Sequence, residues 1–158
     1  MAGNKAKIGI TIIAAALASA VPFIIDREGE SLDSYQDIVG VWTVCHGETF
    51  AVGPGDKLTK DQCQLLSQSR IGQFMLEIVP EIRYPISAPT LAAHTSFAYN
   101  IGLAGYKRSS TLRLTNQGDV AGGCKAMALW NKADGKVSKG LINRRNEEIK
   151  LCLSGVTR

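Results

Sequence analysis

The sequence has little of what a metal site or a nucleic-acid interface would need. Its 158 residues include two histidines and four cysteines, and no CxxC or Cys/His spacing typical of zinc occurs, so neither a metal nor another cofactor is expected. No basic run of five residues and no nucleic-acid reader motif is present, which argues against nucleic acid as the partner. Internal repeats and low-complexity tails are also missing. With 20% charged and 45% hydrophobic residues, global disorder is not expected.

Length and charge indicate one folded chain with a cationic surface. A chain of 158 residues is long enough to bury a hydrophobic core. The formal net charge of +4 favours approach to an anionic polymer, such as a cell wall, or to a membrane surface. Ordinary solubility explains the same charge equally well.

An apolar N-terminal segment decides the expected compartment. Residues 8–25 carry no charge and follow Lys5 and Lys7. A helix of this length, at ~1.5 Å per residue, spans about 27 Å, just short of a ~30 Å hydrocarbon core. The segment is weakly apolar, because small and polar residues and Pro22 dilute it and Leu17 is its only leucine. The basic flank predicts that the N-terminus stays in the cytoplasm and the remainder crosses.

The same segment has several interpretations. Ala18-Ser19-Ala20 is an A-x-A site at which a signal peptidase could cut. A permanent membrane anchor is the second interpretation. A core helix of a soluble domain is the third, with residues 21–27 as its first helix.

Two carboxylates and a hydroxyl lie close to one another in the sequence, directly after the apolar segment. Glu28 stands in REG, Asp37 in YQD nine residues later, and Thr43 in WTVCHG six residues after that. A helix that ends at Glu28, with Gly29 at its boundary, could point the acid into a cleft. Two carboxylates across a cleft, with a hydroxyl to hold water, can cut a glycosidic bond. Without further context, an acidic pair near a turn is more often a solvated loop.

The residues around this pattern resemble the phage-type lysozymes, the endolysins of glycoside hydrolase family twenty-four. The resemblance covers about residues 24–155, and five segments agree in order. They are DREG with YQD, GVWTVCHGET, LTKDQ, SFAYNIG, and GLINRR followed by Glu148, which resembles the C-terminal signature of the family. The resemblance implies an α+β, lysozyme-like fold with a small β-lobe and a larger helical lobe, joined by a long helix, and a cleft between them.

The resemblance also implies an activity and its residues. The expected enzyme is a muramidase that hydrolyses the MurNAc–GlcNAc β-1,4 bond of peptidoglycan, with inversion. By the matched motif, Glu28 is the general acid, while Asp37 and Thr43 handle the attacking water. The expected enzyme needs no cofactor, acts as a monomer and takes peptidoglycan as its partner.

Within this family, the chain most resembles the signal-anchor-release endolysins of lambdoid-like phages or prophages. That likeness adds a release interpretation for the N-terminal segment, which a weakly apolar composition favours. The predicted organisation is a segment over residues 1–27 that runs into the first helix, and a catalytic domain over residues 28–158. The protein is then tethered to the inner membrane, facing the periplasm, before it is released there.

One departure from the family pattern concerns the hairpin after Thr43. Many relatives have a histidine where Glu48 stands, and here the imidazole is two positions earlier, at His46. A structural ion pair of the relatives is therefore not expected. His46 is a candidate for substrate contact, with a hairpin hydrogen bond as the alternative.

Weaker candidates lie in the C-terminal half. Asn100 is a candidate for sugar contact or for core packing. Arg144 or Arg145 is expected to pair with acids near Glu28 and brace the first helix, unless they are solvated. His94 lies among apolar residues and is expected to be structural.

The four cysteines fit an oxidising compartment and allow three pairings. Segment order favours Cys45–Cys63 and Cys124–Cys152, each expected to stabilise by about 3 kcal/mol. Free buried thiols are the alternative, as is a pairing that locks the active site.

Periodicity gives a coarse secondary structure. A small sheet of two or three strands is predicted over residues 29–57, with a strand at 38–44 and a turn at 54–56. Thr59 and Gln62 form a capping-box pattern at the start of a helix. The remaining segment of residues 131–139 is expected to be a polar loop. Helices are predicted over residues 59–79, 90–101, 110–117, 120–129 and 141–153.

Two rival functions remain open at this point. A lytic transglycosylase cuts the same bond with one acid and without water. A catalytically inactive, membrane-tethered wall-binding protein would share the N-terminal segment and the surface charge.

Overall fold

The computed structural model describes residues 8–157. The basic flank at Lys5 and Lys7 lies outside the described residues. The chain divides into two compact units, one of residues 21–73 and the other of residues 74 onward together with the stretch that ends at Ala20. The described residues form an α+β fold that is mostly helical, as the sequence predicted.

Helix α1 covers Ile10–Glu28. It contains residues 21–27, the stretch expected to form the first helix of the soluble domain, and it begins earlier, at Ile10. Alanine is the strongest helix former, and the alanine-rich stretch before Pro22 keeps the chain helical. One face of α1 is buried, through Ala16, Ala20, Val21 and Ile24. Among the described helices, α1 is the one with the length and apolar composition to cross a bilayer.

Strands β1 (Ser31–Gln36) and β2 (Trp42–Cys45) form an antiparallel hairpin. The strand predicted over residues 38–44 was placed too early, because its first half is the turn between these strands. Gly40 adopts a left-handed φ of 81° there, which an extended strand does not allow. Asp33 of β1 also forms a bridge with Lys57, so the predicted third segment of the sheet is short.

Helix α2 covers Lys60–Ile78, close to its predicted bounds. The predicted capping box is confirmed in both directions. The Thr59 backbone N–H donates to Gln62 Oε1 at 2.8 Å, and the Gln62 N–H donates to Thr59 Oγ1 at 3.2 Å. Two N–H groups that have no partner inside the helix are satisfied in this way.

The second unit is built on helix α3 (Ala88–Ile101), whose residues from Thr90 to Ala98 are all buried. It packs against the C-terminal helix α7 (Lys139–Ser154), and helices α5 and α6 pack on each other. Side chains of Ser87, Ser109, Asp119 and Ser138 cap α3, α5, α6 and α7. The intervening helices are α4 (Leu103–Lys107), α5 (Ser110–Asn116) and α6 (Val120–Ala126).

Three details of this unit differ from prediction. Helix α4 was not predicted. The helix predicted over residues 120–129 ends as a 3-10 turn, Met127–Leu129. The predicted polar loop contains a hairpin of β3 (Lys132–Ala133) and β4 (Lys136–Val137), because Asp134 and Gly135 both take left-handed φ values that suit a tight hairpin turn.

Both favoured disulfides are confirmed, and all four cysteines are bonded. Cys45 at the end of β2 is joined to Cys63 on α2, with a Cα–Cα distance of 5.1 Å. Cys124 on α6 is joined to Cys152 on α7 at 5.6 Å. Each bond ties two elements that are distant in sequence within one unit.

His94 is fully buried in α3, as its apolar surroundings predicted. Its Nδ1 lies 2.7 Å from the hydroxyl of Tyr106, and burial lowers the pKa of the imidazole to about 4. Burial raises the pKa of Tyr106 well above its ordinary value. This pair therefore stays uncharged at neutral pH.

Acidification should weaken the fold through His94. The unfolded chain takes up a proton near pH 6.5 and the folded chain only near pH 4, so stability falls as pH drops through this window. The loss by pH 5 should be about 2 kcal/mol. Urea unfolding at pH 7.5 and pH 5 measures it, and NMR assigns it to one of the two histidines. A His94 ring that titrates near pH 6.5 in the folded protein would contradict this.

Candidate active site

Glu28 is the last residue of α1, and its side chain is exposed. Gly29 follows with a left-handed φ of 71°, so the chain turns away from the helix axis at this point. The sequence-based expectation of a helix that ends at this acid is confirmed. Glu28 therefore lies at the exposed C-terminal end of α1, in the unit of residues 21–73.

Asp37 lies in the turn between β1 and β2, where its own backbone closes the hairpin. The Asp37 N–H donates to the Val41 carbonyl at 2.9 Å, and the Gly40 N–H donates to the Asp37 carbonyl at 3.0 Å. Its side-chain Oδ1 accepts from the N–H groups of Val39 at 2.9 Å and Val41 at 2.8 Å. One carboxylate oxygen is thus fixed by two main-chain donors, which leaves Oδ2 as the oxygen with room for another contact.

Thr43 lies on β2, two residues after Val41. It pairs with Tyr35 of β1 across the hairpin. The Thr43 hydroxyl is nearly buried and donates to the Val41 carbonyl at 3.1 Å. Because its one hydrogen is used, the hydroxyl oxygen can only accept a further hydrogen bond, for example from water.

The main chain of Val41 connects the two side chains. Its N–H holds Asp37, and its carbonyl receives the Thr43 hydroxyl. The sequence analysis did not find this link, although an Asp followed by Gly three residues later is a recognised turn pattern that could have indicated it. The three catalytic candidates therefore lie in one unit, and the main chain of Val41 links two of them, Asp37 and Thr43.

His46 is buried, with 6% of its side chain exposed, and both ring nitrogens face protein atoms. Nδ1 lies 2.8 Å from the hydroxyl of Ser67 on α2, and Nε2 lies 3.7 Å from Glu30 Oε1. The hairpin hydrogen bond predicted as the alternative for His46 is wrong, because its ring contacts Ser67 on α2 and Glu30 in the segment after Glu28. Neither Glu30 nor Ser67 was singled out from the sequence.

Glu48 extends this group of polar side chains. The Ser67 hydroxyl donates to Glu48 Oε1 over a long 3.4 Å, and Arg70 Nε lies 3.7 Å from Glu48 Oε2. Burial raises the pKa of Glu48, and the Arg70 charge opposes that rise. The position where many relatives have histidine thus holds a carboxylate that pairs with an arginine.

Asn100, Arg144 and Arg145 belong to the second unit. Arg145 donates to Asn100 Oδ1 at 2.6 Å, and both arginines contact Glu148 of the same helix, at 3.2 and 3.0 Å. The 3.0 Å contact of Arg145 Nε is an ion pair without hydrogen-bond alignment. Ser96 donates to Glu148 at 2.6 Å. Burial raises the pKa of Glu148 and lowers that of Arg145, while their mutual attraction opposes both shifts.

No group of three or more metal-ligating side chains comes together within residues 8–157. Asp37 accepts from main-chain N–H groups, and Glu30, Glu48 and Glu148 each lie beside a basic side chain. The geometry therefore offers acid–base chemistry from individual carboxyl groups.

Comparison with known proteins gives consistent similarities. A family model described as phage lysozyme matches residues 26–148. An SAR-endolysin of Pseudomonas phage phiKMV is 41% identical over 143 residues, which cover 88% of this chain and 89% of that protein. An SAR-endolysin of Enterobacteria phage PA-2 is 41% identical over 129 residues, which cover 81% and 78%. The muramidase domain of SpmX from Asticaccaulis excentricus superposes with a TM-score of 0.79 at 27% identity, covering 85% of this chain and 95% of that one.

Gly40 should be required for the Asp37 turn. Its φ of 81° disfavours any side chain, although an added Cβ would meet no atom within 4 Å, so Gly40→Ala isolates the backbone effect. We expect a loss of about 1 kcal/mol relative to Gly53→Ala, whose backbone is not left-handed. Urea unfolding of both variants measures the difference, and equal stabilities would contradict the expectation.

Proposed function

This chain belongs to the phage lysozyme family and is a muramidase endolysin with an N-terminal signal anchor, and we propose that Glu28, Asp37 and Thr43 carry out its chemistry. The bond attacked is the β-1,4 link between MurNAc and GlcNAc in peptidoglycan. The observation that supports this best is the turn in which Val41 joins Asp37 to Thr43, because it prepares a carboxylate and an acceptor hydroxyl for one water molecule.

Glu28 acts as the general acid. It donates its proton to the glycosidic oxygen as the bond to the sugar C1 breaks, and positive charge develops on the sugar ring. Its place at the end of α1 supports this role, because the side chain is exposed and therefore open to a polymeric substrate. The left-handed Gly29 ends the helix directly after it.

Asp37 and Thr43 prepare the attacking water. Asp37 Oδ2 takes a proton from the water while Oδ1 stays bound to the turn, and the Thr43 oxygen accepts the water's other hydrogen. Water then attacks C1 from the face opposite the leaving group, which inverts the configuration. An inverting enzyme needs carboxyl groups about 6.5–9.5 Å apart, so that water fits between acid and base.

Residues of the second unit contribute less directly. Asn100 is exposed and its Oδ1 is taken by Arg145, which leaves its Nδ2 hydrogens for a sugar oxygen. Arg144 and Arg145 provide structural support through Glu148. For His46, the buried position and two engaged nitrogens favour a structural role over direct contact with substrate.

The N-terminal segment controls where the enzyme acts. Helix α1 tethers the protein to the inner membrane with its catalytic residues facing the periplasm, and release then frees it as a soluble monomer. Glu28 lies at the end of this same helix, so a membrane-embedded α1 constrains the acid directly. Two disulfides suit the oxidising periplasm.

The rival functions have less support. A lytic transglycosylase needs no water, so a turn that joins Asp37 to Thr43 would have no use in it. A wall-binding protein without activity would not require an exposed acid at the helix end. Neither rival accounts for the similarity to lysozymes over residues 26–148.

Removal of either carboxyl group should abolish most activity. Glu28→Gln removes the proton donor and Asp37→Asn the base, so each should lower the cleavage rate by at least about 10²-fold. The measurement is release of muropeptides from purified peptidoglycan, with products identified by mass spectrometry. Asp33→Asn is the control, because Asp33 is on the same strand and pairs with exposed Lys57 at 3.0 Å.

The products separate the rivals. Reducing MurNAc ends support hydrolysis, and NMR of the fresh anomer reports inversion. A 1,6-anhydro product would show a transglycosylase instead. Equal cleavage by Glu28→Gln and the parent would refute the role of Glu28, and no cleavage by either protein would leave only the binding function.

A more apolar segment should stop release. Gly9 and Ser19 are both exposed. Replacing both with leucine raises the free energy that the segment needs to leave the bilayer. The variant should fractionate with the inner membrane and delay lysis, whereas the parent becomes soluble after depolarisation. N-terminal sequencing of the soluble parent shows whether the segment is retained or removed at Ala20. Lysis as fast as that of the parent would contradict control by release.

A further inference from the structure

A chain of polar and charged side chains runs beside the segment that carries Glu28. Only Gly29 and Glu30 separate the end of α1 from β1. Gly29 has no side chain, and its left-handed φ of 71° ends the helix. After Glu28, Glu30 is the next residue whose side chain can contact its surroundings.

Glu30 has two basic neighbours, which differ in how firmly they can hold its carboxylate. Its Oε2 lies 4.0 Å from Lys60 Nζ, on a lysine side chain that is 78% exposed. Solvent screens such a contact, and the long lysine side chain is costly to immobilise. Its Oε1 lies 3.7 Å from Nε2 of His46, whose side chain is only 6% exposed. The buried imidazole is the neighbour that can fix Glu30.

His46 is itself held at both its main chain and its ring. It directly follows Cys45, which the disulfide joins to Cys63 on α2. Its Nδ1 contacts Ser67, one helical turn further along α2, at 2.8 Å. These two attachments to one helix leave the ring little freedom, so Glu30 is tied to a rigid part of the unit.

The count of hydrogens determines the sign of the Glu30–His46 contact. Ser67 has one hydroxyl hydrogen, so it cannot donate to both His46 and Glu48. If it donates to Glu48, Nδ1 must donate to it, and Nε2 also carries a hydrogen when the imidazole is protonated. If it donates to Nδ1, the neutral imidazole carries its hydrogen on Nε2.

Nε2 carries a hydrogen toward Glu30 when Ser67 donates to Nδ1, and a protonated imidazole carries one in either arrangement. The other charges that face this group are Lys60 beside Glu30 and Arg70 beside Glu48. Each form with a hydrogen on Nε2 makes the contact between Glu30 and His46 attractive.

We propose that Glu30 is a positioning residue for the catalytic acid, and that it acts through His46. Its carboxylate, held by the fixed imidazole, sets the direction of the segment after α1 and with it the position of the Glu28 carboxyl group. The inference rests on the role proposed above for Glu28. Neither Glu30 nor His46 contacts the reacting atoms in this scheme.

A double-mutant cycle on the full-length protein tests the proposal. Glu30→Gln keeps the shape and removes the charge, and His46→Gln removes the imidazole. Each should lower kcat on isolated peptidoglycan about tenfold, with KM within about twofold, because small misplacements of a reacting group are costly while substrate binding is unchanged. Because both act through one contact, the double variant should also lose about tenfold, not about a hundredfold.

Matched controls separate positioning from stability. Asp33→Asn removes another acid of the same hairpin, from an ion pair with Lys57 in which Asp33 is 68% exposed, and should keep kcat within about twofold. Melting temperatures of all variants show whether the folded fraction accounts for any loss. If His46→Gln does not fold, Ser67→Ala replaces it in the cycle, since it removes the partner that holds Nδ1.

Three results would overturn the proposal. They are a Glu30→Gln kcat within twofold of the parent, single-variant losses that multiply in the double variant, and a rise in KM with kcat unchanged, which would indicate direct substrate contact. Glu28→Gln is measured alongside. If that variant stays active, the proposed function fails, whereas an inactive Glu28→Gln with an unaffected Glu30→Gln refutes only the positioning role.

Discussion

The hydrogen bonds from the main chain of residues 39 and 41 to the Asp37 carboxylate are the interaction on which the site depends. They close the turn, fix one carboxylate oxygen and, through the Val41 carbonyl, also hold the Thr43 hydroxyl. Main-chain donors lose little entropy when they bind, because the hairpin has already ordered them. The backbone thus preorganises the carboxylate proposed as the base and the hydroxyl proposed to hold water, before any substrate is present.

Buried charge is handled in the same way in both units. Glu148 lies between Arg144, Arg145 and the Ser96 hydroxyl, and Glu48 lies between Arg70 and Ser67. Burial raises the pKa of each carboxyl group, and the neighbouring arginine opposes the rise. Leaving one partner of such a group unpaired costs more than the pair contributes. These clusters therefore fix the geometry around them more than they add stability.

The composition of helix α1 suits both a lipid bilayer and the interior of the folded protein. Its alanines and few large apolar residues make it apolar enough to enter a bilayer, but not enough to be held there strongly. The same small residues are buried at Ala16 and Ala20 in the folded protein. Glu28 ends this helix, so the proposed general acid and the segment proposed to set the location belong to one element.

The sequence by itself determined the features that are encoded within a few residues: the order of Glu28, Asp37 and Thr43, the Thr59 capping box, the weak apolar segment and, by segment order, the disulfides. It misplaced the strand at residues 38–44, because the left-handed Gly40 makes the first half of that stretch a turn. Only the tertiary structure decided that His46 is held by Ser67, 21 residues away, and faces Glu30. Such partners are chosen by the packing of separate elements, and no spacing along the chain records them.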